Sequence, residues 1–208
     1  MEFLGTLYII AAASGTGKTS LTNALANELK NLTISVSHTT RPVRPNEQHG
    51  KDYFFVNTET FETMIKNDGF LEHANVFGHY YYGTSRKFVE DHLKQNLDIL
   101  LDIDWQGAQQ IKSKIPGCVT IFLLPPSQNI LRQRLEKRNR EPVSVIEHRL
   151  KMADSEIIHC KEFDYIVIND DFNKALNDLK TIIEAHRLQT KYQTIKYAKL
   201  LEELTKNV

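Results

Sequence analysis

Residues 7–29, LYIIAAASGTGKTSLTNALANEL, determine the architecture of this chain. The continuously apolar run 7–11 is typical of a strand buried on both faces of a parallel sheet. The glycine-containing turn 14–17 interrupts this run, and apolar residues then recur at helical spacing. Residues 34–36, ISV, return to strand character, so this part of the chain predicts a strand-helix-strand unit.

The turn between the predicted strand and helix is a candidate phosphate loop. Gly15 and Gly17 allow the backbone to aim successive N–H groups at one anion, and the following helix adds its N-terminal dipole. In such a P-loop, Lys18 reaches the β- and γ-phosphates and the Thr19 hydroxyl is a ligand of Mg²⁺. Alanine replaces the first glycine of the strict pattern, but the strand-loop-helix context supports the assignment. The predicted nucleotide-binding residues are Ala12, Ala13, Ser14, Gly15, Thr16, Gly17, Lys18 and Thr19.

The rest of the chain alternates strands with helices, which predicts an α/β fold of three layers around a central parallel sheet. The predicted strands lie at 52–56, 70–77, 99–101, 119–124 and 165–168. The predicted helices lie at 59–67, 105–115, 128–138 and 143–159, with a long helical segment from about 172 toward the C-terminus. Ser127 is the expected N-cap of the third of these helices. Residues 37–96 are richer in aromatic residues and loops than the remainder, which indicates an α+β insertion.

Composition excludes several classes of protein. The 208 residues suffice for one domain with its own core, and 26 Lys+Arg balance 26 Asp+Glu. This neutral charge disfavours a bulk electrostatic nucleic-acid binder. No apolar run is long enough to span a membrane, and the N-terminus does not have the pattern of a signal peptide. Two cysteines suit a reduced compartment, so we expect a cytoplasmic protein with no nucleic-acid or membrane partner.

Charged side chains after the second strand and at later strands form a candidate acceptor site. Arg41 and Arg44 lie in a proline-stiffened loop, and guanidinium groups match phosphate oxygens. An exposed basic loop explains their spacing equally well. Glu72 lies within a predicted strand, and Asp102 and Asp104 lie at the carboxyl end of another, where parallel sheets bind ligands. If that strand continues, both aspartates point to the same side.

These segments together resemble the guanylate kinase family over nearly the whole chain, from about residue 5 to 187. The similar motifs occur in the family's order: SHTTRPVRP (37–45), GKDYFFV (50–56), FLEHA (70–74), YGT (82–84), LDIDWQG (101–107) and VINDD (167–171). The resemblance implies a P-loop core with a GMP-binding insertion and a small helical lid. The implied reaction is the transfer of a phosphoryl group from ATP to GMP.

The resemblance also implies a role for each site residue. It assigns the GMP phosphate to Arg41, Arg44, Tyr53 and Tyr82, and the guanine to Ser37, Glu72, Thr84 and Asp104. It assigns Mg²⁺ to Thr19 and Asp102, the adenine side of the ATP site to Asn169, and catalysis to Lys18, Arg41, Arg134, Arg138 and Arg149. Either Tyr81 or Tyr82 could contact the GMP phosphate, and the position of Tyr82 next to the Gly-Thr pair favours Tyr82.

The implied organisation is a single guanylate-kinase-like domain at about 4–187. Its P-loop core comprises 1–36, 97–130 and 160–208, its GMP-binding region 37–96, and its lid with the hinge helix 131–159. Three alternatives remain open at this point: a non-catalytic guanylate-kinase-like binding module, a P-loop GTPase and a kinase of another nucleoside monophosphate. Retention of Gly15, Gly17, Lys18 and Thr19 disfavours the first, and the lack of an Asn-Lys-x-Asp motif disfavours the second. A homo-oligomer is left open.

Overall fold

The structure is a computed structural model that describes residues 5–76, 78–138 and 143–206. Its elements follow in this order: β1 (Leu7–Ala12), α1 (Lys18–Glu28), β2 (Leu32–Ile34), β3 (His38–Thr39), β4 (Phe54–Phe55), α2 (Thr58–Lys66), β5 (Phe70–Val76), β6 (Tyr80–Ser85), α3 (Arg86–Lys94), β7 (Asp98–Asp102), α4 (Trp105–Lys114), β8 (Val119–Leu124), α5 (Gln128–Arg138), α6 (Val143–Ile157), β9 (Tyr165–Ile168), α7 (Phe172–Arg187), α8 (Thr190–Lys196) and α9 (Ala198–Thr205). A 3-10 helix at Ile158–Glu162 follows α6.

The described residues form a five-stranded parallel sheet in the order β2-β7-β1-β8-β9. The apolar strand β1 lies at its centre, with β7 and β8 as neighbours. Side chains of β1 alternate between two cores, as the period of a strand requires. Tyr8 and Ile10 pack with α1 and α7, whereas Leu7 and Ile9 pack with α3 and α4. This arrangement confirms the predicted three-layer α/β fold.

A second, four-stranded sheet in the order β4-β3-β6-β5 forms within residues 38–85. The neighbours β3–β6 and β6–β5 are antiparallel, and β3–β4 is parallel. Phe61 of α2 stacks on Phe70 of β5 and on Tyr81 of β6, which attaches this helix to the sheet. The sequence predicted an α+β region here, but not the strands β3 and β6 or the helix α3.

Helices α5 and α6 pack against each other beside the phosphate loop. Leu131 and Leu135 of α5 form a buried cluster with Leu150 and Ala153 of α6, and Ala13 of the loop joins it. The Ser127 hydroxyl accepts a hydrogen bond from the Ile130 N–H at 3.2 Å, as expected of the residue before α5. Helices α5 and α6 therefore pack directly against the candidate phosphate loop.

The C-terminal helical segment differs from its prediction as one long helix. It divides into α7, α8 and α9, with breaks at 188–189 and 197. The buried residues of α7 pack on the sheet, whereas α8 and α9 contain none, so core packing stops where α7 ends. In the part of the chain that the structure describes, no helix is both long and apolar enough to cross a membrane.

Candidate functional site

The loop between β1 and α1 has a conformation that requires glycine. Gly15 and Gly17 have φ of 88° and 100°, in the left-handed region that side chains disfavour. Space is also limited, because a Cβ at Gly15 would lie 2.8 Å from Leu135 Cδ2 and one at Gly17 would lie 2.7 Å from Asn169 Nδ2. The loop thus has the backbone form of an anion-binding turn at a helix N-terminus.

Two side chains support the loop through its backbone. Asn169 Nδ2 donates to the Thr16 carbonyl at 2.7 Å, and Arg134 Nη1 donates to the same oxygen at 3.3 Å. Arg134 Nη2 also donates to the Asn169 carbonyl at 2.9 Å. Asn169, which the resemblance assigns to the adenine side, is 5% exposed, and its amide is directed to the loop.

Lys18 and Thr19 meet the carboxyl end of β7. Lys18 Nζ lies 2.6 Å from Asp102 Oδ1 and donates to the Ile103 carbonyl at 2.6 Å. The Thr19 hydroxyl donates to Asp102 Oδ2 at 3.3 Å. Thr19 and Asp102 thus offer neighbouring hard oxygen donors, a set that fits Mg²⁺ because that ion takes one or two carboxylates together with substrate phosphates.

A second group of candidate residues lies on the smaller sheet around Arg41. This side chain is 6% exposed, and its Nε donates to the Tyr82 hydroxyl at 3.2 Å. The Arg41 Cζ lies 5.2 Å from the ring centroid of Tyr53, which is 5.9 Å from that of Tyr82. Burial, and to a smaller extent the neighbouring Tyr82, raise the pKa of Tyr53, so the Tyr53 hydroxyl is a neutral hydrogen-bond donor at pH 7.

The two tyrosine alternatives lie on opposite faces of β6, as strand alternation requires. Tyr82 contacts Arg41 and Tyr53, whereas Tyr81 stacks on Phe61 at 5.3 Å. Tyr82 therefore lies with the candidate phosphate ligands, and Tyr81 packs against α2.

Glu47 holds the guanidinium of Arg41, and sequence reasoning missed it. Arg41 Nη1 and Nη2 donate to Glu47 Oε2 and Oε1, each at 2.9 Å, and the Arg44 N–H donates to Oε2 at 2.9 Å. Arg41 lowers the pKa of this carboxyl, mainly through their hydrogen bonds. The side chain of Arg44 is exposed. An acid close to two arginines in a proline-containing loop is the signal that could have identified it.

Glu72 of β5 is a buried carboxyl near the beginning of α4. Its Oε1 accepts a hydrogen bond from the Thr84 hydroxyl at 2.6 Å, and both residues are buried. Burial raises the pKa of Glu72 to about 7, and the negative charge of Asp104 adds to this rise. A Cβ at Gly107 would lie 3.2 Å from Glu72 Oε2 and 3.4 Å from Asp104 Oδ1, so glycine leaves room between the two carboxyls.

Asp104 does not extend β7, which ends at Asp102. The strand does not continue to Asp104, so the condition under which both aspartates would share one strand face is not met. Asp104 is the N-cap of α4, and its Oδ1 accepts a hydrogen bond from the Gly107 N–H at 2.8 Å because a helix leaves its first N–H groups unpaired. Its exposed carboxyl nonetheless lies near Glu72. Ser37 is half-buried beside β4, where its carbonyl accepts from the Phe54 N–H.

The predicted arginines of α5 and α6 lie in different surroundings. Arg134 contacts the phosphate loop, and Arg149 is half-buried on α6. Arg138 ends α5, and its side chain lies outside the described residues. Sequence reasoning also missed Glu156 of α6, whose Oε2 accepts a hydrogen bond from the Ser14 N–H at 3.2 Å. Burial raises the pKa of this carboxyl.

The structure thus gathers the candidate residues into two groups beside the end of β7. Asp102 contacts the phosphate loop, and its charge also raises the pKa of Tyr53 in the second group. Asp104, two residues later, lies near Glu72. The two groups place cations and backbone N–H donors on one side, and an arginine-tyrosine cluster with a carboxyl pair on the other.

Known proteins similar to this chain cover almost its full length. The family model of guanylate kinase matches residues 5–186. Guanylate kinase of Saccharophagus degradans is 50% identical over 200 residues, which are 96% of this chain and 97% of that protein. Guanylate kinase of Acinetobacter baylyi is 51% identical over 200 residues, 96% of each. The crystal structure of guanylate kinase from Anaplasma phagocytophilum is 35% identical and superposes with a TM-score of 0.73 over 91% of this chain and 90% of that one.

Proposed function

Because this chain belongs to the guanylate kinase family, we propose a role for each site residue in its reaction. The protein is an ATP-dependent nucleoside monophosphate kinase that transfers the γ-phosphoryl group of ATP to GMP and gives ADP and GDP. The observation that carries the assignment of roles is the pair of residue groups on either side of the β7 end. One group suits a polyphosphate, and the other suits a nucleoside monophosphate.

The phosphate loop binds the ATP phosphates in this proposal. Residues 12–19 direct backbone N–H groups at the anion, and Lys18 stabilises the charge that develops on the β- and γ-oxygens. Thr19 and Asp102 hold Mg²⁺, which their adjacent oxygens support. When bound there, the ion would supply positive charge that offsets the charge of the phosphates. Asn169 and Arg134 keep the loop in its binding form through the Thr16 carbonyl.

The smaller sheet binds GMP. Arg41, Arg44, Tyr53 and Tyr82 bind its phosphate, which the cluster around the Arg41 guanidinium supports. The guanine lies against Ser37, Glu72, Thr84 and Asp104. Guanine N1–H and its 2-amino group are donors and suit carboxylate acceptors, whereas adenine presents a lone pair at N1. A site with the buried acceptor Glu72 and the nearby Asp104 carboxyl therefore discriminates against adenine.

The acceptor in this reaction needs no general base. The second pKa of a phosphate monoester is about 6, so GMP is mostly a nucleophilic dianion at neutral pH. The main barrier is the electrostatic repulsion between the phosphates of ATP and GMP. Three arginines reduce this repulsion by reaching the transferring group when the lid at 131–159 closes: Arg134, Arg138 and Arg149. Closure of this lid and of region 37–96 over the core excludes water that would otherwise accept the phosphoryl group.

An acceptor panel tests the proposal. With ATP as donor, ADP production is measured by a coupled assay with GMP, AMP and UMP. We expect turnover with GMP and much lower kcat/KM with the other two. Absence of turnover with GMP would favour the non-catalytic binding module, and preference for another acceptor would favour a different nucleotide kinase. We place the enzyme in the cytoplasm, where its nucleotide substrates occur and where both of its free cysteines remain reduced.

A further inference from the structure

Glu47 reaches Arg41 because the chain between them turns sharply. Pro45 and Asn46 occupy the two central positions of a turn that the Glu47 N–H closes by donating to the Arg44 carbonyl at 3.1 Å. Asn46 has a φ of 71°, a conformation that asparagine tolerates and that a turn of this kind requires. The Glu47 carboxylate then accepts the Arg44 N–H as well. This turn, residues 44–47, is built to direct one carboxylate back at Arg41.

The hydrogen bonds of Arg41 leave a defined part of its guanidinium available. An arginine has five N–H donors in a fixed plane. Two of them pair end-on with Glu47, one Nη1 hydrogen goes to the Pro42 carbonyl at 2.8 Å, and Nε donates to Tyr82. The fifth N–H, on Nη2, lies on the same edge as Nε, and no contact among the described residues uses it.

We propose that Glu47 is a positioning residue for the GMP phosphate. It remains paired with Arg41 in the complex and holds the guanidinium so that the free Nη2 hydrogen and the Tyr82 hydroxyl face the phosphate together. Through the Arg44 N–H it also fixes the loop that carries the second arginine. The inference rests on the proposed binding of the GMP phosphate by Arg41.

The opposite reading makes Glu47 a stand-in for the phosphate, which GMP displaces. The two readings predict opposite signs, because removing a positioning group weakens GMP binding and removing a competitor strengthens it. The end-on pairing favours the first. It uses the outer edge of the guanidinium and leaves the edge beside Tyr82, whose ring contacts that of Tyr53.

The test is Glu47→Gln, with GMP and guanosine binding measured by calorimetry and steady-state kinetics for both substrates. Glutamine keeps one acceptor but turns an NH₂ donor toward Arg41, so the bidentate pair is lost. We expect the Kd and KM of GMP to rise roughly tenfold or more, because charge-assisted bidentate pairs are strong and geometrically specific. Guanosine affinity and the KM of ATP should stay within about twofold of wild type, since neither involves the phosphate of GMP.

Three further variants complete the test. The matched control is Glu28→Gln, which breaks the 2.9 Å ion pair between Glu28 and Lys180 at the C-terminal end of α1. This variant should change neither the affinity for GMP nor that for guanosine. Glu47→Asp keeps the charge and should restore part of the GMP affinity. In an Arg41→Ala background, adding Glu47→Gln should change the GMP Kd less than about twofold, because Glu47 acts through that arginine.

The outcomes separate this inference from the proposed function. Tighter or unchanged GMP binding in Glu47→Gln, or an equal loss of guanosine and GMP binding, overturns the positioning role. Wild-type protein that neither binds nor phosphorylates GMP overturns the proposed function instead. Thermal unfolding of each variant shows whether a loss of affinity comes from loss of the fold.

Discussion

Replacing Glu72 by glutamine tests the guanine pocket and the electrostatics of burial together. Glu72 is 6% exposed, and it receives one short hydrogen bond from Thr84 while the Asp104 carboxyl lies nearby. Glutamine has the same shape and its Oε1 can still accept from Thr84. The substitution therefore removes the charge of the pocket with little change in packing.

The effect on stability follows from the raised pKa of Glu72, about 7 instead of 4.5. Between these pH values the folded protein binds more protons at this carboxyl than the unfolded chain, so stability falls as pH rises through the window. A pKa shift of this size corresponds to a loss of about 3 kcal/mol in the free energy of unfolding, and the whole loss is present above pH 7. Glu72→Gln should therefore increase the free energy of unfolding at pH 8 by up to about 3 kcal/mol, and less at pH 5.

The same substitution should weaken GMP binding, although it stabilises the fold. The guanine donors lose their charged acceptor, which costs on the order of 1.5–3 kcal/mol of binding free energy, or roughly ten- to a hundredfold in affinity. The KM of GMP should rise by this factor, and the ratio of kcat/KM for GMP to that for AMP should narrow. For wild type, the KM of GMP should also rise as pH falls below about 7, where Glu72 becomes protonated.

Urea unfolding at pH 5 and pH 8, with GMP and AMP kinetics at pH 8, measures both effects. Glu28→Gln is the control for loss of a surface carboxylate. An unchanged GMP/AMP ratio would show that the guanine binds elsewhere. A variant that is less stable than wild type at pH 8 would refute the argument that burial of the charge is costly.

Three further substitutions test the phosphate groups of the site. Lys18→Ala should lower kcat by more than roughly tenfold, since such a cation stabilises the transferring charge, and circular dichroism should show an unchanged fold because Leu21 and Leu25 still pack. Arg134→Ala should lower kcat far more than it raises the GMP Kd, because the side chain engages the transferring group only on closure; equal losses in both would contradict this. Arg44→Ala should raise the KM of GMP and AMP by the same factor, as a ligand of their shared phosphate, and a change in their ratio would place it at the base instead.

The sequence predicts most successfully what depends on local pattern. The strand β1 and the helix α1 follow from apolar periodicity, and the loop between them from its glycines. The strand β3 contains only two residues and is held by neighbours distant in sequence, so its own pattern carries no signal. Strand β6 begins with three tyrosines that lie on alternating faces of the sheet, so its sequence shows no alternation of apolar and polar residues.

Site residues whose roles depend on how loops fold back are the hardest to predict. The sequence places Asp104 after the strand and leaves open whether the strand continues to it, whereas in the structure Asp104 caps the unpaired N–H groups of α4. Glu47 and Glu156 lie in segments without a strong motif, and each acquires its partner only when separate segments meet. Motif reasoning thus identifies candidate ligand-binding residues and misses the residues that hold them in place.

The end of β7 has a consequence for how the two substrates are aligned. In the proposed arrangement Asp102 serves the donor side and Asp104 the acceptor side, and only Ile103 separates them. Two consecutive peptide units span at most about 7 Å, so this tripeptide limits the distance between the donor side and the acceptor side of the site. Reacting atoms must approach to about 3–3.5 Å, and one inserted residue would separate the two sides by more than this approach allows. The core therefore fixes how far apart the two residue groups lie at the end of β7, and closure of region 37–96 and of the lid supplies the remaining approach of the reacting atoms.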